Sequence, residues 1–370
     1  MPLLYKEIKQ AMIEMAARSK PHSRLPSRMK LCDQFQVTRT TVDRAVEELI
    51  REGYLYSLNG SGTYVADHAT NVLALPHEGL SVAVLLPNIM HDTYPGILRG
   101  IEDTMQAYGV NVTLCNTDND FDKQESYILR LIRSQVSGVI IIPAVDGDTS
   151  GNERLNALLE RPELPVVFCN RRVPGLQKPL VTSNDYYGGL IAVRHLLERG
   201  CRRVAFLASE PYQVTNARYQ GYQAAHWIAG LEPEKALTVI VDASNCPETG
   251  SEGMRQLLPL APDGVFCFND RLAVGAMDAM MEEGVRCGED IALVGYDDTS
   301  VCEAVYPHLT SVSYEEYENG RRAAAMLMEI MTKPERFQPY LTVTRPELHI
   351  RGSSERFRGA EPMRNYGAQP

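Results

Sequence analysis

Eight short, largely apolar runs recur between residues 82 and 294, with helical stretches between them. The runs fall at 82–86, 110–115, 138–142, 166–169, 203–208, 237–241, 265–268 and 291–294. The clearest helical stretches are 96–108, 127–134, 187–199, 217–228 and 272–283. A strand that is apolar on both faces has to be buried on both, and parallel neighbours need a crossover long enough to hold a helix. The pattern predicts an α/β body of parallel, doubly wound sheets covered by helices. Residues 81–352 exceed one such sheet and fit two lobes, 81–182 with 314–340 and 183–313 with 341–352, leaving 353–370 as a tail. Trp227, the single tryptophan, falls inside a helical stretch and is expected in the core.

Ligands of open α/β sheets bind beyond the carboxyl ends of the strands. His91 and Tyr94 follow the first run, Asn170 and Arg171 the fourth, Asn269 the seventh and Asp297 the eighth. Arg218 stands at the head of the helix after the 209–215 loop. Planar amide, carboxylate and guanidinium groups each span two neighbouring hydroxyls, and a tyrosine ring covers an apolar C–H face. Taken singly, an Asn or Asp after a strand reads as a helix cap. Their convergence at several strand ends points instead to a polyhydroxylated small molecule. The mixture of Arg218 with Asp297 favours a neutral monosaccharide or polyol.

The first 66 residues follow another pattern. Leu4, Ile8, Met12 and Met15 recur at helical spacing, Ser27 opens a second helix with Leu31 and Phe35 on one face, and Thr38 opens a third. Val42, Ala45, Val46, Leu49 and Ile50 form the buried stripe of that third helix, and Gly53 stops it. Asn59-Gly60 then sits between two alternating strands, a strong hairpin signal because both turn residues need positive φ. Helix, helix, turn, helix and hairpin make a winged helix-turn-helix. Residues 1–70 carry 10 Lys/Arg against 8 Asp/Glu, which leaves −12 of the net charge of −10 to the rest. A basic head on an acidic body suits a nucleic-acid partner for the head alone. Candidate DNA contacts are Ser27, Arg28 and Lys30 on the second helix and Thr38, Arg39, Thr40, Thr41 and Arg44 on the third. Asn59, Gly60, Ser61 and Gly62 of the wing complete the set. Residues 67–80 read as a linker.

LPSRMKLCDQFQVTRTTVDRAVEELIREGYLYSLNGSGTYV resembles the GntR-type winged helix. The resemblance implies that Arg39 reads or clamps DNA and that the wing glycines approach the minor groove. Two positions depart from the family pattern. Arg28-Met29 stands where Glu-Arg is usual after Pro-Ser, and Asp43 stands where some members place a second helix arginine.

A second resemblance covers residues 81–352. NDRLAVGAM, DIALVGYDD and the segments around them are similar to the effector domain of LacI/GalR-type repressors, which is periplasmic-binding-protein-like. It implies ligand roles for Arg218, Asn269 and Asp297, a stacking role for Tyr94, and site positions for Asn170 and for Tyr314, where glutamine is frequent. Ala243-Ser244 stand where some members have a stacking tryptophan, and no hinge helix precedes the domain. The arrangement resembles arabinose-repressor-like regulators. It implies a ligand-responsive regulator, with repression the expected sign and activation the alternative. The expected partners are a palindromic double-stranded DNA operator, a small sugar and a second copy of the chain.

No phosphate-loop, zinc-protease or nucleophile-elbow motif is present, so an enzyme acting on a sugar is disfavoured and no cofactor or metal is expected. No apolar run approaches the ~18 residues of a membrane helix. Lys6, Glu7 and Lys9 interrupt any export signal, and eight scattered cysteines suit free thiols in a cytoplasm.

Overall fold

The structure, a computed structural model of the 370-residue chain, describes residues 2–17, 19–20, 22–51, 54–58, 62–65, 80–144, 153–161, 163–173, 175–209, 213–242, 246–334 and 340–355. The chain divides into two compact units, residues 1–81 with 103–112 and residues 82–102 with 113–370.

In the first unit α1 (Pro2–Ala17), α2 (Arg28–Phe35) and α3 (Arg39–Arg51) precede β1 (Leu55–Leu58) and β2 (Gly62–Val65). Ile8, Met12, Leu31, Val42, Val46 and Leu49 are buried together, as their helical spacing predicts. Ser27 caps α2 by accepting from the Lys30 amide, and Gln36 ends that helix with a left-handed φ of 52°. β1 and β2 pair antiparallel, with Leu55 opposite Val65 and Leu58 opposite Gly62. Gly62 has φ 137°, which a side chain would strain. Gly53, Asn59, Gly60, Ser61 and residues 67–79 of the expected linker lie outside the described residues.

The second unit carries two sheets, one of them completed by residues 81 and 103–112. The first is built from β3 (Ser81–Leu86), β4 (Asn111–Asn116), β5 (Gly138–Ile141), β6 (Val166–Cys169) and β7 (Leu180–Ser183), with α4 (Tyr94–Ala107), α5 (Phe121–Arg133) and α6 (Glu153–Leu159) between strands. The chain then passes into the second lobe. Its strands are β8 (Val204–Ala208), β9 (Thr238–Ile240), β10 (Gly264–Cys267), β11 (Ala292–Asp297) and β12 (Thr310–Ser313). Its helices are α7 (Asp185–Glu198), α8 (Gln213–Ile228), α9 (Pro247–Leu257), α10 (Asp270–Glu282) and the short α11 (Val301–Ala304). α12 (Glu316–Thr332) and β13 (Leu341–Thr344) return to the first lobe, and β14 (Leu348–His349) with α13 (Gly352–Glu355) ends in the second.

The strand orders, β13-β7-β6-β5-β3-β4 and β14-β12-β11-β10-β8-β9, repeat one winding twice. Among the described pairings of these two sheets, that of β14 with β12 is antiparallel. Each sheet is buried from both sides, which is why its central strands are apolar throughout. α7 and α8 touch backbone to backbone at Gly189, where a Cβ would run into the Arg218 carbonyl.

Three expectations are corrected. β13 pairs with β7, so residues 341–344 belong to the first lobe; their alternating Leu-Thr-Val-Thr suits an edge strand and gave no apolar run. Ser353 and Ser354 are fully buried and bond Leu293, Thr310 and His195, so the tail begins later than 353. Trp227 is 55% exposed, because the buried face of α8 runs through Tyr222 and Ala225 and position 227 falls off it. Of the four strands missing from the sequence reading, β7, β12 and β13 are short and rich in Ser and Thr, and β14 is only Leu-His. All eight cysteines are free.

Candidate functional site

The chain crosses between lobes at 183–185, 313–316 and 344–348. These crossings are tied to one another, Asn184 N–H donating to Thr344 C=O (3.0 Å) and Ser313 N–H to Glu347 C=O (2.7 Å). Between the lobes lies a cleft of about 410 Å³, its open mouth included. His91, Tyr94, Asn170, Arg171, Arg218, Asn269, Asp297 and Tyr314 all line it, joined by Thr93, Val214 and Phe268. The eight side chains selected from sequence therefore meet in one place. The loops after β3 and β6 supply one wall, α8 and the ends of β10 and β11 the other, and Tyr314 sits in a crossing.

Arg218 is the centre of the second wall. Its Nε donates to Asp185 Oδ1 (2.9 Å), one terminal nitrogen donates to the Phe268 carbonyl (2.5 Å), and the other lies 3.6 Å from Asp297 Oδ1. The guanidinium stacks 3.4 Å from the Tyr296 ring centroid. Burial opposes its charge, but Asp185, Tyr296 and Asp297 outweigh burial and hold it protonated. Burial likewise pushes the Asp185 and Asp297 carboxyls up, with Arg218 opposing the rise at both. Asp185 escaped the sequence reading because the strand before it, Leu-Val-Thr-Ser, is too short and polar to stand out.

Backbone strain gathers at the same place. Asn170 (φ 67°), Asp297 (φ 102°) and Asp298 (φ 51°) are left-handed, a conformation costing a non-glycine residue ~1–3 kcal/mol and persisting only where its surroundings enforce it. Around Asp297 and Asp298 the enforcement comes from Asp270, which accepts from the Thr299 amide (2.8 Å) and Ser311 Oγ (2.6 Å), and from Arg351, which donates to Asp298 (2.7 Å). Asn269 caps α10 through the Leu272 amide (3.0 Å) while lining the cleft, so both roles meet in one residue.

On the first wall, Arg171 Nε donates to the Pro143 carbonyl (2.8 Å). His91 Nδ1 lies 3.0 Å from Thr93 Oγ1, and its ring packs 4.9 Å from that of Tyr94. Burial, then Arg271 and Arg171, lowers the His91 pKa to about 4, leaving a neutral imidazole at pH 7. Two buried polar atoms here have no hydrogen-bond partner: Asn170 Oδ1 and the Tyr314 hydroxyl. Asn88 and Asn116 shape the loop after β3 by accepting from the Met90 and Ile89 amides and do not line the cleft.

In the first unit Ser27, Lys30, Thr38, Arg39, Thr40 and Arg44 are exposed and Thr41 is half-buried. Arg28 points inward, donating from Nε to Asp43 Oδ1 (3.0 Å) and from a terminal nitrogen to Thr63 Oγ1 (3.1 Å). Among the described residues no group of three or more His, Cys, Asp or Glu is placed to hold a metal, and no helix is long and apolar enough to cross a membrane.

Residues 4–65 match the model of the bacterial regulatory proteins, gntR family, and residues 193–354 that of the periplasmic binding protein-like domain. An arabinose metabolism transcriptional repressor of Geobacillus stearothermophilus is 28% identical over 361 residues, 95% of this chain and 97% of that protein. The HTH-type transcriptional repressor PurR of Mannheimia succiniciproducens is 31% identical over 260 residues, 70% of this chain and 76% of that protein. A LacI family transcriptional regulator from Enterococcus faecium, solved with bound ribose, superposes with a TM-score of 0.63 at 27% identity, over 74% of this chain and 98% of that one.

Proposed function

The chain belongs to the bacterial transcription regulators that join a gntR-family helix-turn-helix to a periplasmic-binding-protein-like body of the LacI type, and on that premise we propose how it is controlled. It is a DNA-binding regulator and not an enzyme. As a cytoplasmic homodimer it presents α3 to the major groove of a two-fold operator, with the wing beside it. A small neutral sugar or related polyol binds between the lobes and releases the operator. Release requires the ligand to favour the off-DNA form, and a roughly 100-fold preference supplies ~2.7 kcal/mol per site.

The observation that carries this reading is the pair of unpartnered polar atoms, Asn170 Oδ1 and the Tyr314 hydroxyl, on walls otherwise closed by a neutralised ionic cluster. Buried polar groups are almost always satisfied, and a hydroxyl-rich ligand satisfies both. The neutralisation of Arg218 by Asp185 and Asp297 favours an uncharged ligand. A thermal-shift panel of aldoses, polyols, sugar acids and nucleobases tests it. One neutral sugar or polyol is expected to raise the melting temperature and to weaken DNA binding. Stabilisation by a sugar acid or a nucleobase alone would overturn it.

A further inference from the structure

The two departures of the winged helix from its family pattern are in contact. Arg28 on α2 and Asp43 on α3 form an ion pair of 3.0 Å, and the same Arg28 reaches Thr63 on β2. Thr63 Oγ1 in turn lies 3.2 Å from Ser57 Oγ on β1. The chain of contacts thus runs from the wing strands through Arg28 to the outer face of α3. Asp43 also lies 3.5 Å from Arg39, one turn earlier, through its other oxygen.

Residues four apart share one side of a helix. If Arg39 faces a base edge, Asp43 faces the next step of the same groove. A carboxylate there meets the negative potential of the phosphates, so it needs a cation behind it. Arg28 is that cation: its side chain is 26% exposed, less than that of Asp43 at 41% or Arg39 at 76%, and its bonds to both Asp43 and Thr63 leave it little reach outward. A carboxylate has about four acceptor sites, and Arg28 and Arg39 account for two.

We infer that Asp43 is a base-reading acceptor that selects cytosine, and that Arg28 is its positioning residue rather than a DNA contact. Cytosine offers an amino donor in the major groove with no acceptor beside it, whereas the N7 of adenine would face the carboxylate and guanine and thymine offer carbonyl acceptors. Arg39, which pairs best with guanine O6 and N7, takes an adjacent G·C pair. This rests on the docking of α3 proposed above.

The test is selection of the full-length protein on a randomised double-stranded DNA pool, read by sequencing. The wild type is expected to enrich a two-fold half-site with two neighbouring G·C pairs. Asp43→Ala should lower the preference at one of them by about tenfold and leave the other, the size of one lost groove contact. Arg39→Ala should do the converse. Arg28→Met should loosen the Asp43 position only. Asp43→Asn, which keeps an oxygen for Arg28, should shift that position toward adenine, whose N6 and N7 an amide pairs, and it serves if the alanine variant does not fold. Unchanged preference in Asp43→Ala, or equal loosening everywhere, overturns the inference. A wild type that enriches nothing refutes the docking of α3 itself, and is seen before any variant is compared.

Discussion

Tyr314→Phe separates a ligand-binding tyrosine from a core tyrosine by the signs of two measurements. The side chain is 2% exposed, and its hydroxyl is buried without a partner. Burial, followed by the neighbouring Cys169, Asp185 and Tyr94, drives its pKa far up, so the group is a neutral hydroxyl. An unsatisfied buried polar group costs ~1–3 kcal/mol, and phenylalanine removes it without changing the ring. The ligand-free variant should therefore melt higher, by roughly 2–4 °C for each kcal/mol in a domain of this size. The ligand loses one hydrogen bond worth ~0.5–1.5 kcal/mol, so its affinity should fall roughly two- to twelvefold. Differential scanning fluorimetry and titration calorimetry with the sugar found in the panel measure the two effects. A variant that melts lower without ligand and binds the sugar as tightly as the wild type would refute the reasoning.

Arg218→Met leaves Asp185 and Asp297 buried without their cation, a loss of ~3–5 kcal/mol in urea unfolding, and adding Asp185→Asn should recover part of it. Burial, with Asp297, Asp270 and Asp92 near it, lifts the Glu316 carboxyl from 4.5 to about 8. Its folded-state pKa is raised, so its stabilisation is full below about pH 4.5 and is lost as pH rises through about 8. Melting temperature should fall between about pH 6.5 and 8 and level off above, and Glu316→Gln should flatten that slope; an unchanged slope would show that the group does not titrate there. His91 and His195, lowered from 6.5 to about 4, act below that window. DNA affinity should fall steeply with salt, and Arg39→Ala should weaken it for the cognate site with the log–log slope little changed, because that arginine reads a base rather than holding a phosphate.

The legible parts of the chain share a physical property. A helix with one buried stripe and a strand buried on both faces each write their surroundings into local spacing, so α3 and β10 were visible from residues alone. Strands at the crossings carry Ser and Thr whose hydroxyls bond groups distant in sequence: Thr182 donates to the Asn170 carbonyl (2.6 Å) and Thr344 to the Asn319 side-chain oxygen (2.9 Å). They read as loop because their partners lie elsewhere in the sequence. Asp185 is hidden with its strand, and Arg28 reads as a DNA contact because nothing local tells an arginine that an aspartate fifteen residues on will turn it inward.

Local order thus determined the two kinds of unit, the parallel winding of the body and the strand ends at which a ligand would be met. Tertiary structure alone decided which charges cancel. Arg218 with Asp185, and Arg28 with Asp43, join residues on different elements, and a Coulomb term depends on distance in space rather than on separation along the chain. It also decided which polar atoms are left without partners, because burial is a property of everything packed around a group.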